Sequence, residues 1–248
     1  FIPANKTVYI DQVTDIINDT SLYFIAMDLL NQSGDIIDRT VTWTQRNSKW
    51  QELLTIPSVD VDCKLLSQQE CDEEIEYVFE VSNTSEFPLV NMMLEITDRA
   101  FGQEILPAFW ENNALTMMPE ESTIIKVRVR KGFITKTPFI LAEGLNVNPA
   151  SWNLTNGEKV SLDFKVNEIN ITTEDGAVYL NYSATQTEDT GNRITTLPLA
   201  LKIDSELNRY VSIGIKYGMD INGSVLITDL TPGSHQVQFG DLNETINY

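Results

Sequence analysis

Ile75-Glu76-Tyr77-Val78-Phe79-Glu80-Val81-Ser82 sets Ile75, Tyr77, Phe79 and Val81 on one side of an extended chain and Glu76, Glu80 and Ser82 on the other. A repeat of two residues marks a strand with one face in a core. The same period returns in Ile125, Val127 and Val129 against Lys126, Arg128 and Arg130, and in Val160, Leu162, Phe164 and Val166 against Ser161, Asp163 and Lys165. It continues through Val178, Leu180 and Tyr182; Leu197, Leu199, Leu201 and Ile203; Val211, Ile213, Ile215 and Tyr217; and Val237 with Phe239. Turn chemistry separates these runs: Asn31-Gln32-Ser33-Gly34, Ser82-Asn83-Thr84-Ser85, Glu174-Asp175-Gly176, Asn222-Gly223 and Thr231-Pro232-Gly233 all tolerate positive φ or preset a turn. Helical period is scarce, and only 48–53 and 65–70 are expected to form short helical connections.

Short strands at this density, in a chain of 248 residues, predict an all-β protein of tandem immunoglobulin-like β-sandwich modules. Proline interrupts pairing at Ile56-Pro57-Ser58 and Asn148-Pro149-Ala150, which gives expected modules at 1–57, 58–149 and 150–248. The first is too short for a complete sandwich. It offers strands near 7–13, 22–30 and 36–43 and reads as the C-terminal part of one, with an edge that needs partner strands from an upstream segment. The second and third modules share no obvious repeat.

Seventeen basic residues face 36 acidic ones, a formal net charge of −19. That field repels phosphate backbones and anionic lipid, so nucleic acid is not expected as a partner. No apolar run approaches the roughly 20 residues of a membrane helix, since even 137–145 is broken by Pro138 and Glu143, and no membrane span is expected. The chain opens on Phe1 with no basic and apolar leader, so a signal peptide is expected to have been removed or to lie upstream.

Asn-x-Ser/Thr occurs nine times, at Asn5, Asn18, Asn31, Asn83, Asn153, Asn170, Asn181, Asn222 and Asn243, where composition alone gives roughly three. The excess points to N-glycosylation and a secretory, extracellular or lysosome-like location. In that setting Cys63 and Cys71, the two cysteines of the chain, are expected to close one small disulfide loop, because a zinc site would need further Cys or His ligands.

Two stretches resemble a known family. Residues 22–43, Leu22-Tyr23-Phe24-Ile25-Ala26-Met27 through Asn31-Gln32-Ser33-Gly34 to Thr40-Val41-Thr42-Trp43, resemble the strand, turn and strand that close the second immunoglobulin-like domain of glycoside hydrolase family 2 enzymes of the β-mannosidase and exo-β-glucosaminidase type. That family ends the stretch Asn-x-Tyr-Trp; here Thr40 and Thr42 replace the first two and Trp43 agrees. Ile105-Leu106-Pro107-Ala108-Phe109-Trp110-Glu111-Asn112-Asn113-Ala114-Leu115-Thr116-Met117-Met118-Pro119-Glu120-Glu121-Ser122 is similar to the last sandwich of exo-β-glucosaminidases and plant-type endo-β-mannosidases. Asn113, Pro119 and Glu121 keep the family's places, while Ala114 stands for an aromatic and Glu120 for the glycine of a positive-φ turn. The resemblance covers about residues 1–147. It implies a catalytic (β/α)8 barrel on an upstream segment or a second processed chain, which these modules support at the rim of its cleft. No barrel is expected in this chain, which has no helical period to build one.

No cofactor, metal or catalytic residue is expected. Asn167-Glu168 and Asn243-Glu244 copy the way that family introduces its acid/base residue but lie outside any barrel. His235 follows a Pro-Gly-Ser turn without a nucleophile elbow. Asp60 with Asp62, and Asp72-Glu73-Glu74, read as solvated acidic turns rather than a calcium site. Among Trp43, Trp50, Trp110 and Trp152, Trp110 is the candidate for carbohydrate contact. The reading is therefore a non-catalytic sandwich portion of a glycosidase-like protein, acting on β-mannosides or β-glucosaminides through a barrel elsewhere. The alternative is a structural or adhesive surface glycoprotein built from the same sandwiches.

Overall fold

The computed structural model describes residues 21–44, 50–189 and 191–248 and divides into two units, Phe1–Leu53 and Leu54–Tyr248. In the first unit β1 (Tyr23–Leu30) pairs antiparallel with β2 (Ile36–Thr44), matching two of the expected strands. The turn between them is fixed by Asn31, whose Oδ1 accepts from the backbone of Ser33 (2.8 Å) and Asp35 (2.9 Å), and by Gly34 at φ +89°, where a β-carbon would be strained. Asp28 and Arg39 pair across the strands at 2.9 Å. Met27, Leu29, Leu30, Ile36 and Ile37 of this hairpin are exposed. The strand expected at 7–13 lies outside the described residues, as do Asn5 and Asn18. Trp50–Thr55 is a 3-10 turn where a helical connection was expected.

The second unit holds two sandwiches. The first uses β3 (Val61–Cys71), β4 (Glu74–Asn83), β5 (Leu89–Thr97), β6 (Ala108–Trp110), β7 (Leu115–Met117), β8 (Ser122–Arg130), β9 (Phe139–Glu143), β10 (Ala150–Asn153) and β11 (Lys159–Ser161). They form one sheet of order β3-β4-β8-β6 and another of order β11-β10-β9-β5-β7. The inward alternation predicted from sequence is met: Tyr77, Phe79 and Val81 on β4 and Ile125, Val127 and Val129 on β8 are all at most 1% exposed. They close against Leu94, Ile96, Ile140 and Trp152 of the opposite sheet, and each such side chain contributes on the order of 1.5–3 kcal/mol.

The second sandwich uses β12 (Phe164–Glu174), β13 (Ala177–Gln186), β14 (Thr195–Ile203), β15 (Glu206–Ile215), β16 (Ile221–Ile227), β17 (Ser234–Phe239) and β18 (Leu242–Asn247), in sheets β12-β13-β16 and β15-β14-β17-β18. Its core gathers Leu180, Leu201, Ile213, Ile215, Val237 and Phe239, all 0% exposed. Strand content dominates both bodies, as the all-β reading requires.

Two local expectations are corrected. Residues 65–70 form no helical turn but continue β3 along β4, with a bulge between Leu65 and Ser67 that disturbs the alternation. The run Val160 to Val166 is not one strand. It breaks at Leu162-Asp163, so that β11 joins the first sandwich through Trp152↔Lys159 and Ala150↔Ser161, and β12 opens the second through Phe164↔Gln186. Ala150, Trp152 and Leu154, beyond Pro149, accordingly belong to the first core.

Candidate functional site

The stretch that carries the family resemblance is a set of backbone staples. Asn113 lies in the loop before β7, and its carboxamide imitates a strand: Oδ1 accepts from Leu94 N (2.8 Å) and Nδ2 donates to Leu94 O (2.9 Å). Glu121 Oε2 accepts from Met118 N at 2.7 Å, closing the turn that holds Pro119 and Glu120. Glu120 keeps the positive φ of that turn, at +58°, without being glycine, and Ala114 does likewise at +60°. Leu106-Pro107 is cis.

Asn83 and Asn146 extend the same device into the interior, each 1% exposed. Asn83 Nδ2 donates to the carbonyls of Phe87 (2.8 Å) and Met118 (3.0 Å), and its Oδ1 accepts from the Ser85 hydroxyl at 2.8 Å. Asn146 Nδ2 donates to Pro57 O (3.0 Å) and Pro88 O (2.9 Å), while its Oδ1 accepts from Val90 N (2.8 Å). Buried amides with all their positions filled are rigid, because moving one exposes several unpaired groups at once. Sequence pattern singled out Asn83 as a turn residue and a glycan acceptor and missed Asn146 altogether. Its pairing spans up to 89 residues, so nothing local announces it.

A second cluster was not visible in the sequence. Arg193, in the segment before β14, reaches the outer face of the β9-β5 sheet of the first sandwich. Its guanidinium pairs with Glu95 on β5 and lies 2.5 Å from Glu143 Oε1 on β9; its side chain is 12% exposed. Thr196 N also donates to Glu143 at 3.4 Å. Leu141 and Ser151 stand in the row of Glu95 across β9 and β10 and are completely buried, although this is the face away from the first core. Burial pushes the Glu143 carboxyl above its ordinary value, since Arg193 offsets only part of that cost while Glu95 adds to it. Arg193 itself is held above its ordinary value: burial acts against the charge, but bonds to Glu95 and Glu143 outweigh it. One cation between two acids is a clamp between sandwiches and offers no nucleophile or proton relay.

The remaining sequence candidates are scattered. Cys63 and Cys71 occupy the two ends of β3 with both thiols free, so the expected disulfide is not formed. Seven intervening residues of strand separate them by on the order of 25 Å, several times the reach of a disulfide. Cys63 faces the core, where burial pushes its thiol far up. Trp110 is half-buried and packs on the first core, while its neighbour Phe109 is 47% exposed. Trp152 lies within that core, with the Lys159 ammonium 5.3 Å from its ring.

Glu168 and Glu244 stand on different sheets. His235 bonds through Nδ1 to Asp204 (2.7 Å) and through Nε2 to Thr231 O (2.8 Å), which ties the Thr231-to-Ser234 turn to the β14–β15 turn. The bond to Asp204 is the main reason its pKa is raised. Asp60 accepts from Asn148 Nδ2 at 3.0 Å, and Asp62 accepts from Cys63 N at 3.0 Å. Among the described residues no three His, Cys, Asp or Glu side chains come together as metal ligands, and no helix is long and apolar enough to cross a membrane.

Of the described asparagines in Asn-x-Ser/Thr sequences, Asn31, Asn170, Asn222 and Asn243 are exposed, Asn153 and Asn181 half-buried and Asn83 buried.

Residues 40–147 match the sequence profile of the exo-β-D-glucosaminidase Ig-fold domain. An exo-β-D-glucosaminidase of Arthroderma benhamiae is 23% identical over 128 residues, which is 45% of this chain and 14% of that protein. Among solved structures, an exo-chitosanase of Amycolatopsis orientalis aligns with 54% of this chain and 18% of its own, at 20% identity and a TM-score of 0.48. The chain thus spans less than a fifth of the length of these relatives. Asn113, Pro119 and Glu121, the residues on which the resemblance was read, fall inside the matched segment, and the chain thus carries a segment similar to the immunoglobulin-like domain of exo-β-D-glucosaminidases of glycoside hydrolase family 2.

Proposed function

We propose that this chain is the non-catalytic β-sandwich portion of a secreted, glycosidase-like protein. In this reading hydrolysis of β-glucosaminides or β-mannosides belongs to a (β/α)8 barrel on another segment or chain, and the sandwiches buttress that barrel and shape the rim of its cleft. The observation that carries it is the coincidence of the matched segment with a network built to hold loops still. Asn83, Asn113, Glu121 and Asn146 all spend their polar atoms on backbone, which is what a support needs and what a catalytic site cannot spare. The exposed apolar side chains of the β1–β2 hairpin favour a covering partner. Contact of a sugar with Trp110 belongs to the same proposal, through the part of the ring that the core leaves exposed. We place the modules at 1–57, at 58 to about 161, and from about 162 to 248, following the break at Leu162-Asp163.

The experiment is peptide and intact-mass spectrometry on native material together with everything that co-purifies, paired with a hydrolysis assay on an aryl β-D-glucosaminide. A barrel polypeptide in the active fraction supports the reading. This chain found only with further sandwiches, in an inactive fraction, replaces it with the structural or adhesive glycoprotein.

A further inference from the structure

Three acceptor sequences, two from one hairpin and the third from a strand further along the chain, meet on one sheet. In a strand, residues i and i+2 share a face, so each Asn-x-Ser/Thr on a strand presents its Asn and its hydroxyl together and turns its middle residue inward. Ile171 and Tyr182, the middle residues after Asn170 and Asn181, pack on the second core, with the Tyr182 ring 5.2 Å from that of Phe239. The third middle residue is Gly223, opposite Tyr182, where any β-carbon would stand 2.3 Å from the ring. The outer face therefore collects Asn170 and Thr172 from β12, Asn181 and Ser183 from β13, and Asn222 and Ser224 from β16. Asn170, Asn181 and Ser224 form one cross-strand row, and Ser183 faces Asn222 in the next. They line a shallow groove of about 490 Å³ in which Glu168 is the one charged side chain.

The three asparagines differ. Asn170 and Asn222 are exposed. Asn181, on the central strand, is half-buried and donates to Thr172 Oγ1 at 3.0 Å, the hydroxyl of the neighbouring acceptor sequence. Directly opposed residues stand about 5 Å apart, so sugars on both Asn170 and Asn181 would occupy the same space. Asn170 and Asn222 are separated by two strand spacings, roughly 9.6 Å, and by a further row.

Resting on the secretory route proposed above, we infer that this sheet face is the glycan-bearing surface of the second sandwich, with sugar on Asn170 and Asn222 and none on Asn181. The reaction is transfer from a lipid diphosphate oligosaccharide by the host's transferase. Asn Nδ2 bonds to the anomeric carbon as that carbon's bond to phosphate oxygen breaks, and the amide proton leaves with the released diphosphate. Attachment precedes folding, so the geometry acts as a filter: chains carrying sugar on both Asn170 and Asn181 cannot close the β12–β13 ladder and are retained. A face so covered is closed to protein partners, which leaves docking to other surfaces.

The test is secretion of the full chain from a eukaryotic host, enzymatic deglycosylation in 18O water and mapping of the labelled asparagines. Label is expected at Asn170 and Asn222 and absent from Asn181 and from buried Asn83. In Asn170→Gln, Asn181 is expected to gain label. Equal label at Asn170 and Asn181 on the same molecules overturns the inference. Label at Asn31 and Asn243 with none on the sheet overturns it while leaving the secretory route standing, and no label anywhere overturns both.

Discussion

In the first sandwich of the second unit the carboxamides of Asn83, Asn113 and Asn146 are spent on backbone groups of loops and of β5, whereas in the second those of Asn170 and Asn222 face water. The same residue type is structural cement in one body and open surface in the other, and the difference follows its place. In the first, irregular connections such as 98–107 and 144–149 bring backbone groups into the interior, where each needs a partner. In the second, the β12–β13, β14–β15 and β17–β18 connections are two-residue turns, and strand alternation sends polar residues outward. An Asn-rich sequence therefore cannot be read for function until each asparagine is assigned a side of the sheet.

The largest expected effect tests whether the two cores are separate. Phe79→Ala and Phe239→Ala each remove a fully buried ring and should cost about 3–5 kcal/mol. Calorimetry should show the lowered transition confined to the mutated sandwich; a single transition shifted equally by both would mean one cooperative body. Asn146→Ala comes next, at roughly 3 kcal/mol, because it strands Pro57 O, Pro88 O and Val90 N. Asn222→Ala should change the melting temperature by less than a degree, which makes the pair a direct test of inward against outward asparagine.

Arg193→Ala addresses what joins the two bodies. Removing the cation leaves Glu95 and Glu143 facing each other, and with their partial exposure we expect about 2 kcal/mol. The transitions of the two sandwiches should also move apart in temperature. The smallest effect concerns Glu143. Its folded pKa is raised above the ordinary 4.5, so the stability it contributes is fully present below that value and is lost as pH rises through the folded pKa. Glu143→Gln should therefore raise the melting temperature at pH 7 and leave it unchanged at pH 4. A loss at pH 7 would show that its charge is needed by Arg193.

The strands were legible where one face is buried and the other wet, as in β4 and β8, because period two is a local property. The family resemblance was legible because Asn113, Pro119 and Glu121 keep their spacing. The disulfide was misread because two close cysteines look like a loop until the residues between them prove extended, and the split between β11 and β12 was hidden because alternation runs unbroken through Leu162. Arg193 could not be foreseen, since its partners lie 98 and 50 residues away. The convergence of Asn170, Asn181 and Asn222 depended on the register of β12, β13 and β16, which no single stretch encodes.

The two residues between β11 and β12 also have a bearing on the clamp. A tether this short presents Arg193 to Glu95 and Glu143 at a high effective concentration, so the contact is in practice intramolecular docking that needs little intrinsic affinity. Each added linker residue dilutes that concentration, at least as steeply as the −3/2 power of length once the tether is flexible. The ion triad can thus be weak as a binding site and still keep the sandwiches in register, and the brevity of Leu162-Asp163 is what allows it.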